Sequence, residues 1–205
     1  KEKAPHLQRP KGHNDIQPVE IASPAWFRQL WPELNANQRA LVAFLASHGR
    51  RIREGLARRP SDLHGHILDL GKTKTGLMQV ELQPQALEMI HAMPGWQART
   101  WLFGAGAASA NSVRRDLREA CKRAGVEWIT PHKFGRHTSV TGMLRKGYSV
   151  AHVAQAHNMT PEMVTRRYGH LTIDETTAAM HEVGGELLNS VINGGSAGDA
   201  ALGPP

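Results

Sequence analysis

The chain has 205 residues, with 25 Lys and Arg against 18 Asp and Glu, giving a formal net charge of +7. That size allows one sizeable core, and the basic balance suits a polyanionic partner, nucleic acid being the commonest. A single cysteine, Cys121, excludes an internal disulfide and any multi-cysteine metal site and suits a reducing compartment; no apolar run reaches membrane-span length and no signal-peptide pattern is visible.

Residues 1–20 are polar, basic and proline-punctuated, without periodicity, and read as a linker or arm. Because the first residue is Lys, the sequence reads as a piece of something longer. Ser23-Pro24 is an N-cap followed by proline at the first helical position, and it opens a short helix carrying Trp26, Phe27 and Leu30. A second helix is predicted over about 37–47, with Leu41, Val42, Phe44 and Leu45 on its buried face and an end near Gly49. A third covers about 51–58, stopped by Pro60.

The hydrophobic period then changes. GHILDL (65–70) and LMQVEL (77–82) predict two short strands joined through the turn GKTKTG. Helices follow at about 84–93, 111–124, 132–146, 149–157 and 161–168. A last helix starts at the capping box Thr172-x-x-Glu175 and extends toward Ile192, ahead of a Gly/Ala/Pro-rich tail expected to be disordered. The fold class is therefore mainly α with one small antiparallel sheet.

Four chemistry-bearing residues lie in separate local contexts: Arg51 in SHGRRIREGL, Lys74 in GKTKTG, Arg136 in FGRHT and Tyr168 in RRYGHL. Singly, each has a plain structural reading. An arginine in RRIRE is a solvated helix face, a lysine in a polar hairpin is turn chemistry, and a tyrosine near a helix end is packing. Together, and in this order, they resemble the catalytic domain of the tyrosine recombinase (phage integrase) family over about residues 23–185. SHGRRIREGL is similar to that family's TGLRISEL box, with Gly49 two residues before Arg51 and Glu54 three after, and Arg50 and Arg53 as flanking alternatives. GKTKTG is similar to its hairpin TKTGK, and the interval of thirty-two residues from Arg136 to Tyr168 also recurs there.

The resemblance implies phosphoryl transfer on double-stranded DNA. Such chemistry needs a nucleophile, cationic donors for the non-bridging oxygens and an acid for the leaving oxygen. Arginine grips phosphate with a planar fork that stays protonated. By resemblance, Tyr168 attacks to form a 3′-phosphotyrosyl link, Arg51 and Arg136 stabilise charge, and Lys74, with Lys72 as fallback, is the general acid. Glu54 and His137 support them. No ATP, metal or other cofactor is implied, and family members act as tetramers on paired sites, in the cytoplasm with the nucleoid, in bacterial or phage settings. A full recombinase also carries an N-terminal helical domain, so the arm at 1–20 would be its severed linker, 21–192 the catalytic domain and 193–205 a tail.

Two departures stand out. The family's second box is H-x-x-R, but three residues before Arg136 stands Lys133, with His132 one residue earlier. Either Gly135 is an insertion that keeps His132 in place or Lys133 replaces the histidine, as in an arrangement similar to type IB topoisomerases; spacing favours Lys133. Further on, the position of the family's LGH histidine, nine residues before the tyrosine, is Met159, which cannot donate a hydrogen bond. His157, two residues away, is the alternative donor. These departures keep open a DNA-binding module with little catalysis, and a type IB topoisomerase.

Overall fold

The computed structural model describes residues 21–73 and 76–169, and of residues 72, 73, 76 and 77 the backbone only. The predicted arm, the helix from Thr172 and the C-terminal tail lie outside the described residues. Helix α1 (Pro24–Leu30) starts where Ser23 caps it, its side chain accepting from the Trp26 amide. Helix α2 (Ala36–His48) begins at a capping box in which Asn35 and Gln38 satisfy each other's backbone amides. It ends at Gly49, in the left-handed region at φ 60°. Helix α2 is the centre of the main core: Ala40, Leu41, Val42, Phe44 and Leu45 are all buried on it.

Helix α3 is shorter than the sequence predicts, spanning only Ile52–Leu56. Arg51 is its N-cap, and the chain leaves the helix at Ala57. Pro60 pushes Arg59 into an extended conformation, and Arg58 instead donates to the Asp69 carbonyl of the sheet. The sheet has three antiparallel strands in order: β1 (Leu63–His64), β2 (Ile67–Thr73) and β3 (Gly76–Glu81). The strand β1 was not legible in the sequence, and the six-residue turn GKTKTG is mostly strand, since Lys72 pairs with Leu77 and Thr73 with Gly76. A bulge between Asp69 and Gly71 breaks the register of β2 against β3.

Helices α4 (Pro84–His91) and α5 (Ala110–Arg123) complete the main body. The predicted continuous helix over 132–146 is interrupted. Residues Lys133–His137 form a π-turn, followed by helix α6 (Thr138–Arg145). A π-turn accommodates one extra residue within a helix. Here the Lys133 carbonyl accepts from the Thr138 amide, five residues on, and from the Thr138 hydroxyl at 3.1 Å. Phe134, in the turn, sinks into the core against Trp26 and Phe27, with ring centroids 5.6 and 6.2 Å away. Trp26 donates from its indole to the Glu127 carbonyl at 2.8 Å, so α1 clamps the segment leading into the turn.

Helices α7 (Val150–His157) and α8 (Pro161–Tyr168) pack with α6 in a second, smaller cluster of Val140, Leu144, Val153, Ala154, Val164 and Tyr168. The π-turn therefore joins the two clusters. Gly135 lets it approach the end of α2: a methyl group there would lie 3.0 Å from the Leu45 carbonyl oxygen and 3.3 Å from that of Arg50. Gly135→Ala is expected to cost about 1–3 kcal/mol through this overpacking, seen as a melting temperature several degrees lower; an unchanged melt would show that the turn has room to spare.

Candidate active site

The site is assembled where the end of α2, the π-turn and α8 meet. Gly49 turns the chain so that its carbonyl accepts from Nε of Arg136 at 3.2 Å. No larger residue fits at Gly49, because besides its positive φ an added Cβ would collide with the His157 ring, 2.6 Å from Cδ2. Arg136 is 3% exposed, and both its terminal nitrogens are buried without a hydrogen-bond partner among the described residues. The nearest carboxylate oxygen, Oε1 of Glu54, is 3.8 Å from Nη2, an ion pair beyond hydrogen-bond reach. Burial, and then the charge of Arg51, pull the Arg136 guanidinium down to about 10, with Glu54 acting against them.

Glu54 also holds Arg51. Its carboxylate accepts from the Arg51 amide at 2.9 Å and from Nη1 at 3.0 Å. One carboxylate thus sits between the two sequence-predicted arginines, hydrogen-bonding Arg51 and facing Arg136 across 3.8 Å. Arg51 is half exposed, whereas its neighbour Arg50 is 5% exposed and points into the protein. Of the sequence alternatives at this box, Arg51 is the one that faces solvent beside Arg136.

Tyr168 is buried, at 1% exposure, and its hydroxyl and Nδ1 of His137 share a short hydrogen bond. Burial raises the Tyr168 phenol above its ordinary value, against the pull of Arg167 and Arg136. Burial also drives His137 down to about 4, reinforced by the charges of His132, Arg167, Lys133 and Arg136. His132 packs edge-on against His137 with ring centroids 4.5 Å apart, and burial followed by the Arg136 charge lowers it as well. Lys133 opens the π-turn, its amide donating to the Thr130 hydroxyl.

Met159 packs against the α6–α8 cluster and brings no donor to the site. His157 does not replace it. With its ring neutral, Nδ1 donates to the Val153 carbonyl at 3.0 Å and Nε2 accepts from the Ser139 hydroxyl at 3.0 Å, so both nitrogens are spent inside the protein. The expectation that His157 supplies the donor missing at Met159 is corrected accordingly. Asn158 caps α7 in the left-handed region at φ 50°, where the resembled LGH box has glycine. Lys74 lies outside the described residues, as does the side chain of Lys72.

The sequence reading missed one element of the site. A groove of about 380 Å³ opens beside Arg51 and is lined by Ile52, Arg53, Arg114, Thr130, Pro131 and His132. Arg114 comes from α5, remote in sequence, and no motif marks it.

These features belong to a domain of the tyrosine recombinase type. Residues 28–175 match the phage integrase family, and the chain belongs to that family. The fold is similar to the crystal structure of XerA recombinase, at 20% identity and TM-score 0.60, over 78% of this chain and 61% of that one. The chain thus spans about three fifths of that relative's length. It is also similar to the catalytic domain of bacteriophage HP1 integrase, at 17% identity and TM-score 0.56, over 78% of this chain and 94% of that domain. No curated protein matches the chain.

His137 and His157 are both held near 4 by burial, so the folded state binds fewer protons than the unfolded chain between about pH 6.5 and pH 4. Stability is expected to be full above about pH 6.5 and to fall as the pH drops toward 4. Thermal melts across this range check it, and a melting temperature independent of pH in that window would contradict the buried neutral imidazoles.

Proposed function

We propose that the chain is the catalytic domain of a site-specific DNA recombinase that cuts and rejoins strands through a 3′-phosphotyrosyl intermediate. The observation that carries this reading is Arg136: a buried guanidinium with two unpartnered donors, beside the buried Tyr168. Burying unsatisfied cationic donors is costly unless an anion completes them, and a phosphodiester oxygen pair fits a planar fork. Arg51, held by Glu54 and facing solvent, supplies the second cation.

In the proposed reaction the Tyr168 oxygen attacks phosphorus and the bond to the 5′ oxygen breaks. The phenolic proton passes to Nδ1 of His137, and the leaving 5′ oxygen takes a proton from Lys74. In the free protein His137 is a weak base because it is buried and, to a lesser degree, because cations surround it. A bound phosphate would offset that field and raise its proton affinity, so the nucleophile stays quiet until DNA arrives. In the second box we assign the assisting role to His132 ahead of Lys133. The interval from Arg136 to Tyr168 begins after Gly135 and so cannot detect an insertion there, whereas the π-turn is what one inserted residue makes of a helix. The domain would span 21–192 and act as a homotetramer on paired double-stranded sites, with the arm at 1–20 leading to an N-terminal DNA-binding domain.

A second reading, a DNA-binding module of the same fold, is favoured by Met159, which packs where the family supplies a donor. The deciding experiment is a suicide substrate: nicked DNA carrying sites from the DNA flanking the gene, incubated with wild-type and Tyr168→Phe protein. Recombinase chemistry predicts a denaturant-resistant adduct absent in the Phe variant. DNA that shifts but never becomes covalently attached favours the binding module. Arg136→Ala is expected to cut adduct formation roughly 10²–10³-fold, the usual loss for one oxyanion donor. Arg114→Ala is expected to weaken binding to all DNA sequences alike and to reduce the salt dependence by about one counterion; an unchanged slope would remove the groove from the interface.

A further inference from the structure

Arg50 stands where the resembled box carries leucine, one residue before Arg51, and it is 5% exposed. Nη2 donates to the Ala156 carbonyl at 3.0 Å, Nη1 lies 3.5 Å from Sδ of Met78, and Nε has no hydrogen-bond partner among the described residues. Burial lowers its pKa, with only the Glu54 carboxylate pulling the other way. One carbonyl and one thioether are poor compensation for a desolvated guanidinium, and an apolar side chain of similar volume is commonly no less stable at such a site. Stability alone does not explain the arginine.

Its neighbours do. Ala156 is in the last turn of α7, where a cation suits the exposed carbonyls. Met78 lies on β3 opposite Gly71, beside the bulge. The backbone of Arg50 is itself wedged between α2 and the π-turn: its amide donates to the Leu45 carbonyl at 3.3 Å, and its own carbonyl lies against Gly135. A single residue therefore links the segment carrying Gly49 and Arg51 to the strand β3 and to the helix pair α7–α8, whose cluster buries Tyr168.

We propose that Arg50 is a positioning residue for strand cleavage, docking the α7–α8 pair, and hence Tyr168, in register with Arg51 and Arg136. The proposal rests on reading Tyr168 as the nucleophile, but its mechanical half is testable without catalysis. Arg50→Met keeps an unbranched apolar stem while removing the guanidinium and its bond to Ala156; Arg50→Lys keeps a cation.

Hydrogen exchange across 150–169 and across α2 is measured for wild type and both variants, together with the rate of adduct formation at saturating DNA and the half-saturating DNA concentration. In Arg50→Met we expect faster exchange confined to 150–169. Adduct formation should fall at least about tenfold, since small misplacements of reacting groups cost up to ~10²-fold. Half-saturation should stay within about twofold of wild type, and Arg50→Lys should recover most of the rate. Unchanged exchange in α7–α8, or an unchanged cleavage rate, overturns the proposal. So does exchange that rises in α2 and α8 alike with weakened DNA binding, which marks a general structural role. If Arg50→Met does not fold, Arg50→Lys alone decides: exchange and cleavage both at wild-type levels uphold docking by the cation, and loss of both overturns it. If wild-type protein forms no adduct, the nucleophile reading fails, while the exchange pattern still judges the docking.

Discussion

The Gly49 carbonyl accepts from Arg136, and that one bond dictates where the rest of the site can lie. It requires the left-handed turn at Gly49, which ends α2 and sends Arg50 inward and Arg51 outward. It requires the π-turn to come within reach of the α2 terminus, which glycine at 135 permits without a close contact to the Leu45 carbonyl. The His157 ring also lies close against Gly49, which brings the end of α7 and therefore α8 to the same turn. Two hydrophobic clusters, each closed in itself, meet along this polar seam, with Arg136, His137 and the Tyr168 hydroxyl on it.

The seam holds more cationic donors than the described residues satisfy. Glu54 faces two arginines and hydrogen-bonds one, while both terminal nitrogens of Arg136 lack a partner among the described residues. His137 is neutral beside a protonated phenol because burial and four neighbouring positive or imidazole groups act in the same direction. Under the proposed function, an incoming phosphodiester would change all of these at once: it would complete the arginine donors, offset the cationic field and make the imidazole a better proton acceptor. Catalytic competence and DNA binding would then be one event rather than two.

Much of the fold was legible in sequence because its signals are local. Ser23-Pro24 and Gly49 mark helix ends by hydrogen bonds that a few residues make among themselves, although the Asn35–Gln38 capping box, just as local, was not read. The grouping of Arg51, Arg136 and Glu54 was also foreseeable, since the motif carries it. What was not legible depends on tertiary contact. The burial of Arg50 follows from Ala156 and Met78, more than a hundred and almost thirty residues away. The π-turn is invisible to periodicity, because an inserted residue looks like a change of spacing, and spacing alone favours Lys133. Arg114 joins the groove only through the packing of α5. For His157, offered only as an alternative donor, distance along the chain said nothing of its partners, Val153 and Ser139.

If Arg136 is held for a phosphate rather than for the fold, replacing it by an apolar side chain of similar length relieves a buried, under-satisfied charge. The most direct test is the melting temperature of Arg136→Met against wild type in the absence of DNA. The account predicts a variant as stable as the wild type or more so, because loss of the Gly49 bond is offset by removal of two desolvated donors. A clear fall of several degrees would show that Arg136 is a satisfied structural residue and would contradict the central role given to it here.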